Sequence, residues 1–269
     1  MRFLVLFLTF LAAAGSVQAA DYGREQRWAD EILPAILDGN PVWLEQAGGH
    51  KFLGLFIEAA TGAATGDATG AASVAACEAA TQSATDSAKA RGAVILVHGM
   101  GVHPDWGING PMRTRLAEQG YATLSIQMPV LASDAGPGDY VATFPEASER
   151  IGKAAAWLKA KGYDKIALVS HSLGGRMART YFVKHKKSPV KVWAALSMGF
   201  DDFKGVSVPV LDIYAEQDHP PVLKLVAAHK RTLRHPASEQ RMLPATGHFY
   251  EGKEVEVTNL VKDWLDKTL

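Results

Sequence analysis

The 269-residue chain is 48% hydrophobic and balances 28 Lys and Arg against 28 Asp and Glu. That composition suits one sizeable α/β core, and with zero formal charge and no basic cluster nothing draws nucleic acid or an anionic membrane surface to it. Its one cysteine, Cys77, rules out an intrachain disulfide or a cysteine metal site and has no base near it in sequence.

In chain order, Arg2, the apolar run 3–14 and the small-residue triplet Val17-Gln18-Ala19 read as a secretory signal cut after Ala19. The leader is of bacterial style and predicts a periplasmic or secreted protein. The apolar run is too short to span a bilayer comfortably, and no cysteine follows it to carry lipid, so no stable membrane insertion is expected after cleavage. An uncleaved anchor is the alternative. Residues 24–37 read as an amphipathic helix with Trp28, Ile32 and Leu33 on one side. Strands at 41–46 and 51–57 flank Ala47-Gly48-Gly49, which is turn chemistry, so they predict a hairpin. Residues 59–91 are almost entirely Ala, Gly, Thr and Ser and read as a flexible insertion, with a weak helix at 71–80 or a flap over the site as alternatives. The rest of 20–269 is taken as a single domain.

From Gly92 strands and helices alternate. Strands are predicted at 93–97, 122–127, 165–169, 190–196, 208–214 and 240–243. Helices are predicted at 111–119, with proline in the first turn, at 145–160, where Ala147, Ile151, Ala154 and Leu158 share a face, and at 176–184, 221–229 and 255–265. The order implies a mostly parallel sheet with an antiparallel N-terminal hairpin and helices on both faces. In such a sheet the functional groups gather at the carboxyl ends of the strands.

Those ends carry a constellation. Ser170-His171-Ser172-Leu173-Gly174 lies between a strand and a helix, the context that holds a nucleophilic serine at the tip of a sheet. Gly174 supplies the small residue needed two after Ser172; Ser170 stands where glycine is more usual. A serine hydroxyl needs a base, a group to orient the base, and donors for the oxyanion. His248, after the last strand, is the candidate base. Asp218, just past the 208–214 strand, is the candidate acid, with Glu216, Asp201 and Asp202 as rivals and Asp212 read as structural. Val97-His98-Gly99-Met100-Gly101 follows another buried strand; the backbone N–H groups of Met100 and Leu173 are the candidate oxyanion hole, and His98 is read as holding the loop.

Taken together, the run 94–101, the turn at 170–174, Tyr214-Ala215-Glu216-Gln217-Asp218 and Gly247-His248 resemble the α/β-hydrolase superfamily over roughly 41–269. More narrowly, 101–107 with 121–129 resembles a poorly characterised group of bacterial exported α/β-hydrolase-like proteins of unknown function. The resemblance implies the α/β-hydrolase fold and a triad in the order Ser172, Asp218, His248; it implies no substrate.

Residues 199–207 join two strands directly, which leaves little room for a lid, while 130–143 is long enough to overhang the site. Trp106, Phe200, Phe203, Phe249 and Tyr250 lie in loops at that edge, and Trp106, Phe200 and Phe249 are the candidate substrate-binding residues. His103-Pro104-Asp105-Trp106 reads as a pocket-shaping segment or as a turn held by Asp105. His219 reads as a helix start. His50, His185, His229 and His235 lack metal-ligand spacing, and neither metal nor cofactor is expected. The leading expectation is a metal-independent serine hydrolase acting on a small-molecule carboxylic ester. An acyltransferase or amidase on the same triad, or a non-catalytic envelope binding protein on a hydrolase fold, are the alternatives. The oligomeric state stays open.

Overall fold

The structure, a computed structural model, describes residues 20–60 and 90–269. The leader, Cys77 and the helix expected at 71–80 lie outside the described residues. Eight strands form one sheet: β1 (Asn40–Glu45), β2 (Lys51–Ile57), β3 (Gly92–Val97), β4 (Tyr121–Ile126), β5 (Ile166–His171), β6 (Val190–Leu196), β7 (Val210–Gln217) and β8 (Glu239–Gly247). Their order across the sheet is β1-β2-β4-β3-β5-β6-β7-β8. β2 runs antiparallel to both of its neighbours, and every pair from β4 to β8 is parallel. The expected mostly parallel sheet with an antiparallel start is therefore present.

Strands buried on both faces must be apolar on both, and β3, β4 and β5 are buried at every position. Alternate side chains feed two cores. Ile95, Leu168 and Trp193 pack with α3 (Phe144–Ala160) and α4 (Leu173–Lys184) on one face. Val94, Leu96 and Val169 pack with α2 (Asn109–Glu118) and α7 (Glu254–Thr268) on the other. A helix α1 (Tyr22–Ile32), capped by the Asp21 carboxylate accepting the Arg24 N–H at 2.9 Å, sets Ala29 against Leu53 and Leu55 of β2. Among the described residues no helix is long and apolar enough to cross a membrane.

Boundaries differ from the sequence expectations in ways that have physical causes. α1 begins two residues before 24, because Asp21 is a cap, and ends in a 3-10 turn at Leu33–Ala35 that carries Pro34. α2 begins two residues before Pro111; a proline in the first turn forgoes an N–H that has no intrahelical acceptor anyway. The helix expected at 221–229 is two, α5 (Pro220–Leu223) and α6 (Val226–Thr232), parted by a tight turn in which the Leu225 N–H reaches back to the Val222 carbonyl at 2.9 Å. β7 and β8 run on to Gln217 and Gly247, which pair with each other. Residues 197–209, between β6 and β7, hold no helix and form no lid.

One buried cation ties the N-terminal elements to the body. Arg150 of α3, fully buried, donates to Glu25 at 2.9 Å, Glu146 at 2.6 Å, the Gln46 side chain at 3.0 Å and the Gln127 carbonyl at 3.1 Å. Burial still drives the Glu25 pKa up to about 7 despite Arg150. A buried charge broken from its partners is costly, so α1 is held where Arg24 reaches the carbonyls of Leu131 at 2.5 Å and Gly101 at 3.4 Å.

Candidate active site

Four polar residues stand immediately after four neighbouring strands: Ser172 after β5, Ser197 after β6, Asp218 after β7 and His248 after β8. Because these strands are parallel and adjacent, side chains separated by up to 76 residues meet at one edge of the sheet.

Ser172 is placed by a turn with no slack. β5 runs two residues further than 169, to His171, and α4 starts at Leu173 rather than at 176, so one residue joins strand to helix. That residue has φ 55° and ψ −124°, a left-handed backbone that a non-glycine residue adopts at a cost of about 1–3 kcal/mol. Its N–H is tied to the Leu196 carbonyl at 2.8 Å. Gly174 is obligatory here, since a Cβ on it would lie 2.4 Å from the His98 carbonyl oxygen. Ser170, in the usual glycine position, fits because its hydroxyl accepts the Trp193 indole N–H at 2.8 Å inside the core.

His248 Nε2 lies 2.9 Å from Ser172 Oγ, and His248 Nδ1 lies 2.6 Å from Asp218 Oδ1. Behind the ring, Asp218 accepts further bonds from the His219 N–H at 2.8 Å, the Ala215 N–H at 3.0 Å and the Ser197 hydroxyl at 2.5 Å. Burial works to raise the Asp218 pKa, but the bonds from His248, Ser197 and Ala215 outweigh it and hold the carboxyl below its usual range. The Tyr250 hydroxyl, fully buried, sits 2.7 Å from Ser197 Oγ and also reaches the Ile213 carbonyl at 3.1 Å. On the other side His171 Nε2 donates to the His248 carbonyl at 2.9 Å, and burial, aided by the neighbouring His248, lowers its pKa to about 4, keeping it neutral. The His219 ring lies parallel to that of His248, 3.9 Å between centroids.

Met100 and Leu173 line the same cavity as Ser172, and among the described residues neither backbone N–H has an acceptor. Leu173 is the first residue of α4, where an N–H has no partner within the helix. The Met100 loop is pinned by His98: its Nδ1–H donates to the Gly99 carbonyl at 2.8 Å and its Nε2 accepts the Met128 N–H at 2.9 Å. Burial lowers the His98 pKa to about 3, so it is a neutral strut. The cavity measures about 410 Å³, at the small end of ligand pockets. Its walls include Trp106, Pro137, Phe200, Val222 and Phe249, and among the described residues no Lys, Arg, Asp or Glu side chain lines it.

A family model described as a protein of unknown function (DUF3530) matches residues 79–149, about a quarter of the chain. No curated protein matches the sequence. Among solved structures, this chain is similar to an α/β serine hydrolase without lid from Xanthomonas campestris (15% identity, 87% of this chain and 96% of that one, TM-score 0.61). It is also similar to dienelactone hydrolase from Anabaena variabilis (18%, 86% and 97%, 0.60) and to a cold-adapted esterase from an Arctic intertidal metagenomic library (16%, 85% and 93%, 0.61). The chain has the α/β-hydrolase fold.

On that fold Ser172, His248, the two expected oxyanion donors and Trp106, Phe200 and Phe249 all line one cavity, with Asp218 buried behind the His248 ring. Phe203 and Tyr250 do not line it. Phe203 is buried between Trp193 and His229, and Tyr250 is buried behind Asp218. The rival acids are engaged elsewhere: Glu216 accepts the Ala245 N–H at 2.8 Å, Asp201 pairs with Arg176 at 2.9 Å and Asp202 with Arg179 at 3.8 Å, while Asp212, read as structural, pairs with His229 at 3.1 Å. Asp105 pairs with Arg113 of α2, which fastens the Trp106 loop to the body. The sequence pattern did not single out Ser197, His171, the stacking of His219 or the bond of Tyr250 to Ser197. Position was the available signal for Ser197, since it is the residue directly after a recognised strand.

Proposed function

We propose that the protein is an exported serine hydrolase that cleaves carboxylic esters, with Ser172 as nucleophile, His248 as general base and then acid, and Asp218 as the orienting acid. The observation that carries this reading is the unbroken hydrogen-bonded chain Asp218–His248–Ser172, at 2.6 and 2.9 Å, ending in an apolar cavity. Asp218 fixes the tautomer in which Nδ1 bears the proton, leaving the Nε2 lone pair facing the serine hydroxyl. His248 takes the Ser172 proton as Oγ bonds to the ester carbonyl carbon. The carbonyl oxygen becomes an oxyanion and accepts from the Met100 and Leu173 N–H groups. On collapse the C–O bond to the alcohol breaks, and His248 hands its proton to the departing oxygen. A water then repeats the sequence: it loses a proton to His248, adds to the acyl-serine carbonyl and releases Ser172 with that proton.

The strained Ser172 backbone favours chemistry over a purely binding role, because such strain clusters at catalytic positions. Export is supported by Arg2, the apolar run 3–14 and the small-residue triplet 17–19, the pattern of a leader cut after Ala19. A fluorophosphonate probe tests the central assignment. Covalent labelling mapped by peptide mass spectrometry to Ser172, and lost in Ser172→Ala, is expected; a folded protein that takes no label contradicts it.

A further inference from the structure

The proton that His248 returns to the substrate goes to the oxygen of the departing alcohol. The alcohol therefore sits beside His248, whichever acyl group is attached, and the side chains packed on that ring are its surroundings. They are aromatic. Phe249 stands edge-on to His248 (centroids 5.1 Å, 81°), Trp106 stands edge-on to Phe249 (5.4 Å, 82°), and His219 lies flat against His248. Trp106 and Phe249 remain 37% and 38% exposed although both face the cavity, so they present uncovered ring surface to whatever binds.

We infer that Trp106, Phe249 and His219 form a leaving-group wall that selects esters of uncharged aromatic alcohols, an inference that rests on the ester-hydrolase reading of this site. Three observations carry it. Rings meeting rings edge-to-face or offset gain attraction beyond the area they cover, which an alkyl group of equal area does not obtain. Among the described residues no Lys, Arg, Asp or Glu lines the cavity, and the Arg176 guanidinium packed on Phe200 is paired with Asp201 at 2.9 Å, so an anionic alcohol has no free counter-charge. A cationic alcohol lacks one too: the Asp218 carboxylate is buried behind His248 with its oxygens taken by four donors. Burial, together with the adjacent His248, also lowers the His219 pKa, so the wall is uncharged at neutral pH. The step itself is the transfer described above: the Ser172 Oγ–acyl bond forms, the acyl–O bond to the aromatic alcohol breaks, and the proton moves from Ser172 through His248 to the alcohol oxygen.

The test holds the acyl group fixed and varies the alcohol. Benzyl, ethyl and choline butyrates are compared in kcat/KM, with Ser172→Ala as blank and fluorophosphonate labelling of each variant as a check that the site is assembled. The benzyl ester is expected to exceed the ethyl and choline esters by about ten-fold or more. That ratio is expected to fall by roughly three-fold or more in both Trp106→Ala and Phe249→Ala. Ser172-dependent hydrolysis with a ratio near one, a ratio unmoved in both labelled variants, or a preference for choline overturns the wall and leaves the ester-hydrolase reading standing. A folded wild type that cleaves none of the three esters overturns both.

Discussion

Among the described residues two buried carboxylate–imidazole pairs stand side by side in the β7 region, and their contrast bears on which of them is suited to proton transfer. Asp218–His248 and Asp212–His229 are each formed by an Asp of the β7 region and a later His, at 2.6 and 3.1 Å. What differs is the second ring nitrogen. His248 Nε2 faces the hydroxyl of Ser172 at the rim of a cavity. His229 Nε2 donates to the Asp201 carbonyl at 2.8 Å, with its ring packed on Phe203 and the residue buried. Both His229 nitrogens therefore act as donors, the arrangement of an imidazolium. Burial works to lower the His229 pKa, but the bond and charge of Asp212 outweigh it and raise it. In the proposed reading the first pair exchanges a proton with Ser172, whereas the second braces α6 against the loop after β6. An Asp–His contact is thus no signature of catalysis; the neighbour of the far nitrogen decides.

The contrast is broken most sharply by displacing Ser172. In Gly174→Ala the new methyl would meet the His98 and Val97 carbonyl oxygens at 2.4 and 2.9 Å, so α4 must move away from β3 and carry Ser172 and the Leu173 N–H with it. Activity is expected to fall about a hundred-fold or more, with a stability loss of about 1–3 kcal/mol in chemical denaturation. Ser197→Ala removes one of the donors that hold Asp218 while leaving the serine in place. A loss in kcat of about ten- to hundred-fold, with KM little changed, is the expected kinetic signature. The smallest effect lies in the second pair and is read from stability against pH. A raised folded pKa means that protonated His229 stabilises the fold fully below its unfolded pKa of about 6.5 and that this contribution fades as pH rises through the folded pKa. The stability margin of the wild type over His229→Gln should therefore shrink between pH 6 and pH 9; a margin that grows with pH contradicts the imidazolium assignment.

Local pattern carried much of the fold. The strand expected at 190–196 is β6 residue for residue, because Pro189 and Ser197 bound a run that is apolar but for Lys191. Ser172, Asp218 and His248 were legible because each follows a strand of the parallel sheet. The supporting groups were not, because they depend on which strands become neighbours. Ser197 reaches Asp218 only because β6 lies between β5 and β7, and Tyr250 meets Ser197 only because β8 closes that edge. The ends of β7 and β8 were hidden for a related reason: Glu216 and Gln217 are exposed and polar, as in a loop, yet the strand continues because Gln217 has Gly247 to pair with. Nothing in the 24–37 pattern foretold that Arg24 and Glu25 would tie α1 to the loops around the cavity through Gly101, Val130 and Arg150.

The most direct measurement compares two isosteric changes, Asp218→Asn and Asp212→Asn, in turnover of a p-nitrophenyl ester, with thermal melts to show that each variant is folded. The account predicts a loss in kcat of about 10⁴-fold for Asp218→Asn, because the imidazole is left in the wrong tautomer, and a kcat within about ten-fold of wild type for Asp212→Asn. Comparable losses in both variants, or an Asp218→Asn protein that keeps its activity, would contradict it.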